Sequence, residues 1–110
     1  MSQLRKIEIT SQHALIVKTI LAQHLPANSS VFVFGSRAKG CVKPHSDLDL
    51  AIDARQILGL ESMGILNEAF DESLLPYKVD IVDLNAIDDE FKKAIESDCV
   101  KFVVDRDDRI

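Results

Sequence analysis

At 110 residues, with 46% hydrophobic and 28% charged positions, the chain has the size and composition of one ordinary globular domain, 1–110. Its net charge of −5 argues against direct nucleic-acid binding along an extended surface, because that affinity comes from Lys and Arg neutralising phosphates. Its apolar stretches are too short for a bilayer, Met1–Lys6 shows no secretory signal, and Cys41 and Cys99 lack metal-ligand spacing, so a cytoplasmic protein with reduced, structural thiols is expected.

The first predicted element is a helix over residues 12–25, where Val17, Ile20, Leu21, His24 and Leu25 recur at helical spacing after the capping pair Thr10-Ser11. Pro26-Ala27-Asn28 ends it. Val31–Phe34 is a short run of β-formers that reads as a buried strand and stops at Gly35-Ser36, before the basic turn Arg37-Ala38-Lys39-Gly40. A second strand spans roughly 47–53, with Leu48, Leu50 and Ile52 alternating against Asp47, Asp49, Ala51 and Asp53. Successive strand residues point to opposite faces, so the apolar set packs inward and the carboxylates share the other face. Residues 62–74 read as a second helix with the stripe Ile65, Leu66, Ala69 and Phe70. Val79–Leu84 is a third strand, and residues 87–97 form a third helix around Ile87, Phe91 and Ile95. Val100–Val104 reads as an edge strand or a helix end, and Asp105–Ile110 as a loose tail. This order predicts an α/β (α+β) fold: a small mixed sheet with helices packed on one face and aspartates displayed on the other.

Asp47 and Asp49 emerge on the same face of one strand. Two ionised carboxylates about 4 Å apart repel by roughly 4 kcal/mol at an effective dielectric of 20. A divalent cation turns that repulsion into binding energy, and aspartate oxygens suit Mg²⁺. Asp-x-Asp alone is also a common solvent-facing pattern. The strand that breaks into Gly35-Ser36 adds a second signal, since glycine lets backbone approach a phosphate and such a turn forms an anion nest.

Gly35-Ser36, ten residues, then Asp47-Leu48-Asp49 resembles the Gly-Ser-x₁₀-Asp-x-Asp signature of the DNA polymerase β-like nucleotidyltransferases. The flanks Phe34–Gly40 and Ser46–Leu50 resemble the minimal nucleotidyltransferase (MNT) branch of that superfamily, and the likeness runs from about residue 10 to residue 104. Its third carboxylate lies in an apolar-Asp-apolar strand, a pattern met by Val79-Asp80-Ile81-Val82-Asp83-Leu84. Asp80 and Asp83 are three apart and face opposite ways, so only one joins the cluster; the family pattern favours Asp80 and leaves Asp83 as a strand-end or capping residue.

The resemblance implies that Asp47, Asp49 and Asp80 hold two Mg²⁺ ions, with Gly35 and Ser36 cradling the phosphates of ATP and Arg37 and Lys39 assisting. The family often has Arg where this chain has Lys39, which binds phosphate as a point charge and not as a fork. A nucleoside monophosphate, AMP from ATP, passes to an acceptor hydroxyl. Larger relatives carry a further acceptor-holding domain and this chain ends before one, so the resemblance implies an acceptor on a HEPN-type helical partner, with this protein as antitoxin. Two other readings stand beside it: a non-catalytic module that occludes such a partner, and an antibiotic-modifying adenylyltransferase. The preferred triphosphate and a homo-oligomer stay open. His45, His13, His24 and Asp53 are not expected to ligate metal, and Asp88-Asp89-Glu90 is expected to favour the N-terminus of its own helix.

Overall fold

Strand β1 is Ser30–Phe34, β2 Leu48–Asp53, β3 Val79–Asp83 and β4 Val100–Phe102, and they form one sheet in the order β3-β2-β1-β4. This computed structural model describes residues 9–35 and 46–102. β1 pairs antiparallel with both β2 and β4, whereas β2 and β3 run parallel. A parallel pair requires a crossover, and helix α2, Gly59–Asp71, supplies it. The mixed sheet matches the expected fold class, and Val100–Phe102 resolves as an edge strand. None of the described helices is long and apolar enough to cross a membrane.

Helix α1, Ser11–His24, starts where expected because the Thr10 hydroxyl accepts from His13 N–H at 3.1 Å. It buries Val17, Ile20 and Leu21, while His24 is exposed and Leu25 is buried just beyond the helix end. Helix α2 begins at Gly59 and not at residue 62. The cause is non-local: the backbone N–H of Leu58, at its N-cap, donates to the Asp83 carboxylate 2.8 Å away and 25 residues later in sequence. Its end also falls earlier than expected, where Ser73 turns its hydroxyl and N–H onto the Phe70 carbonyl. Leu66 and Phe70 are buried with Ala69 against the core, but Ile65 of the expected stripe is 47% exposed. Helix α3, Asp89–Asp98, begins after Asp88, whose carboxylate accepts from Phe91 N–H at 2.8 Å. Asp89 and Glu90 occupy its first turn, where negative charge complements the helix dipole. Ile95 is its buried residue; Phe91, expected to pack, is 45% exposed.

Val31, Val33, Leu48, Leu50, Ile52 and Val79 pack beneath α1 and α2. The opposite face was expected to be left to the aspartates, and there the structure differs. Its alternate positions Phe32, Ala51 and Val82 are also apolar, and with Leu84 they gather around Ile95 of α3. Apolar area of that kind is removed from water wherever an element can reach it. Two helices thus cover one face and a short third shields part of the other.

Candidate active site

The three strand ends that meet on the less covered face carry the site. Phe34, the last residue of β1, is in register with Asp49 of β2, and Asp49 is in register with Asp80 of β3. In a parallel pair, residues in register share a face, so Asp49 and Asp80 stand side by side. Asp47 lies one residue before β2 and is exposed.

Gly35 follows β1 at φ 76, a backbone conformation that side chains rarely tolerate. A methyl group at this position would collide with the Asp49 carboxylate, lying only 3.2 Å from its Cγ. Glycine is therefore required twice, for the turn and for the approach of Asp49.

Burial is the main influence that pushes the Asp49 carboxyl above its ordinary range, followed by the charge of Asp80, the charge of Asp47 and a hydrogen bond shared with the Asp80 side chain. All four favour the protonated form. Lys78 Nζ stands 3.6 Å from Asp80 Oδ1 in an exposed pair. The carbonyl of Lys78 accepts from Leu48 N–H at 2.9 Å, which fixes its backbone beside the start of β2.

Among the described residues, no three His, Cys, Asp or Glu side chains already converge as a metal cage. The arrangement is a cluster of like charges, with Asp49 and Asp80 in contact and Asp47 acting electrostatically on Asp49. Its donors are all carboxylate oxygens. That set fits Mg²⁺, which is held by one or two carboxylates and keeps several waters.

Of the residues expected from sequence, Gly35, Asp47, Asp49 and Asp80 are thus brought together. Ser36, Arg37 and Lys39 lie outside the described residues, as do Cys41, His45 and the tail from residue 103. Lys78 was not singled out from sequence. Its spacing of two from Asp80 was the available signal, since it puts both side chains on one face.

The other aspartates serve the framework. Asp83 turns to the α2 side of the sheet, is nearly buried, and accepts from Leu58 N–H at 2.8 Å and Asn85 N–H at 3.0 Å. Asp53 accepts from Arg55 N–H at 2.9 Å and from Asn85 Nδ2 at 3.0 Å. His13 is half-buried on α1 and meets the Tyr77 hydroxyl through Nδ1 at 3.1 Å. Cys99 is half-buried at the end of α3, with its thiol 3.8 Å from the Glu96 carbonyl.

The described residues thus place a glycine turn beside strand-borne aspartates on a four-stranded mixed sheet. The chain belongs to the family described as Polymerase beta, Nucleotidyltransferase, whose model matches residues 16–109. It is a nucleotidyltransferase, and it is 42% identical over 95 residues to the probable protein adenylyltransferase MntA of Haemophilus influenzae, covering 86% of this chain and 82% of that one. Its fold is similar to that in a crystal structure of a toxin–antitoxin with AMP-PNP, with a TM-score of 0.72 at 21% identity over 86% of this chain and 76% of that one. A toxin–antitoxin MntA-HpeT structure carrying two Asp-to-Glu substitutions gives 0.69 at 18% identity over 86% and 75% of the respective chains. At those identities the likeness to solved structures shows the fold alone.

Proposed function

We propose that this protein transfers AMP from ATP to a hydroxyl group on a HEPN-type partner protein and thereby acts as the antitoxin of a toxin–antitoxin pair. The observation that carries the chemistry is the seating of Asp49 between Gly35 and Asp80 across three adjacent strands. The choice of acceptor is supported by the name of the Haemophilus influenzae relative, a protein adenylyltransferase, and by the toxin–antitoxin assemblies among similar folds.

Asp47, Asp49 and Asp80 would hold Mg²⁺, as two ions, which supplies a lowered acceptor pKa and charge neutralisation of the departing pyrophosphate. Gly35, lacking a side chain, keeps the backbone close to the outer phosphates and leaves room for Asp49. Ser36 donates to those phosphates, with Arg37 and Lys39 adding positive charge. The acceptor oxygen attacks the α-phosphorus, the bond from that phosphorus to pyrophosphate breaks, and the hydroxyl proton passes to an Asp80 carboxylate oxygen. Catalysis comes mainly from positioning and charge stabilisation.

The test is incubation with α-labelled ATP, Mg²⁺ and the small helical HEPN-type protein expected to be encoded nearby. Label should appear on the partner with wild type and be absent with Asp47→Asn/Asp49→Asn. Label retained at the wild-type rate by the double variant would refute the assignment of the aspartates. Neutralisation of the partner with no label transferred would favour occlusion instead. Rapid labelling of a small hydroxyl compound without the partner would favour antibiotic-type chemistry.

A further inference from the structure

We propose that Lys78 serves as the resident counter-ion of the aspartate cluster when no metal is bound, and as a ligand for the nucleotide's phosphates when metal takes its place. The inference rests on the proposed Asp47, Asp49 and Asp80 site and adds a residue to it.

Three observations converge on Lys78. Its ammonium is 3.6 Å from Asp80 Oδ1, an exposed ion pair with one member of the aspartate trio. Its backbone is anchored, because its carbonyl accepts from Leu48 N–H at 2.9 Å between Asp47 and Asp49 in sequence. The parallel register sets Leu48 against Val79, so the next step back sets Asp47 against Lys78 on the same face. Lys78 thus lies at the edge of the site, paired with Asp80 and one register step from the Leu48–Val79 pair, level with Asp47.

The side chain is 69% exposed, while its backbone is pinned by the hydrogen bond from Leu48. A divalent cation offers the carboxylates a stronger partner than one ammonium does and displaces it. The released Lys78 then lies within reach of the only other strong anion at the site, the triphosphate, which lysine binds as a compact point charge. Lys78 therefore opposes metal alone and favours metal together with nucleotide.

The experiment measures binding and needs no turnover. Mn²⁺ affinity is read by electron paramagnetic resonance in wild type, Lys78→Met and Lys78→Arg, and affinity for α,β-methylene ATP is then read in saturating Mn²⁺. An exposed pair supports changes of roughly two- to fivefold. Lys78→Met should bind Mn²⁺ about that much more tightly than wild type and the analogue about that much more weakly, and Lys78→Arg should restore both. Metal affinity unchanged or reduced in Lys78→Met, or analogue affinity unchanged, would overturn the role of Lys78 alone. Wild type that fails to bind Mn²⁺, or binds it as well after Asp49→Asn, would overturn the metal-site reading along with it.

Discussion

β2 and β3 each carry an aspartate near either end, and the two ends treat the same side chain in opposite ways. At one end Asp49 and Asp80 face each other in register, with burial and mutual repulsion raising the Asp49 carboxyl above its ordinary range. At the other end Asp53 and Asp83 are supplied with donors: Arg55 N–H and Asn85 Nδ2 for the first, Leu58 N–H and Asn85 N–H for the second. A carboxylate given backbone N–H donors is part of the framework, because it satisfies groups that would otherwise be orphaned. A carboxylate set against another carboxylate carries a repulsion that a bound cation would relieve. Residue type and strand position do not distinguish the two ends; the supply of donors does.

The largest expected effects come from exchanging the two losses. Asp49→Asn should lower AMP transfer by about a thousandfold or more, since charge stabilisation by bound metal amounts to several kcal/mol. Its thermal midpoint should hold or rise, because the substitution removes a carboxylate whose charge is penalised in the fold by burial and by the neighbouring Asp80 and Asp47. Asp83→Ala should do the reverse. It strands the N–H groups of Leu58 and Asn85 at a nearly buried position, at about 1–3 kcal/mol for each donor left unpaired, while the folded fraction keeps its activity. Denaturant titration and transfer assays on both variants check this crossing. A destabilised Asp49→Asn with normal turnover would erase the distinction between the ends.

Gly35→Ala should sharpen the comparison with a smaller, mixed effect. The new methyl meets the Asp49 carboxylate and is attached at φ 76, so the turn must shift or Asp49 must move. Left-handed backbone at a non-glycine residue costs on the order of 1–3 kcal/mol. Stability should fall within that range, and transfer should fall by roughly ten- to a hundredfold, the scale on which misplacement of about 1 Å acts. Wild-type values for both would show that Asp49 has more freedom than its contact with Gly35 implies.

Much of this layout was readable in the sequence because period two is a strong signal. Leu48, Leu50 and Ile52 alternate with Asp49, Ala51 and Asp53, which separates the two faces of β2, and the spacing of three sets Asp80 and Asp83 in opposite directions on β3. Long-range pairing was not readable. The start of α2 depends on Asp83, 25 residues downstream of the N–H that it receives, so no local cap marks it. Ile65 and Phe91 fit helical stripes, yet neighbouring Leu66 and Ile95 took the buried positions. α3 lies across Phe32, Ala51 and Val82 because three strands together present an apolar patch that no single strand reveals. Lys78 follows the same rule: its spacing from Asp80 is local, but its place beside Asp47 needs the parallel register.

The smallest expected effect concerns Asp53 and reads the donor-rich end through pH. The hydrogen bond from Asn85 is the main influence holding its carboxyl below the ordinary range, with the Arg55 backbone N–H next; burial works weakly in the opposite direction. The folded state therefore binds this proton less readily than the unfolded chain does. Such a group stabilises the fold above the unfolded pKa, near 3.9, and the contribution is lost as pH falls through the lower folded value. Asp53→Asn retains the shape and an acceptor oxygen but removes the charge. Because the group is only partly buried and its neighbouring charges are solvent-screened, the loss at neutral pH should be below about 1 kcal/mol. It should shrink toward zero by roughly pH 3 or below, where wild type has itself become protonated and other titrating groups are common to both proteins. Urea midpoints for the two proteins at neutral and acid pH measure this directly. A gap that widened on acidification would mean that the Asn85 and Arg55 donors do not favour the charged form, and the contrast between the two ends would then rest on Asp83 alone.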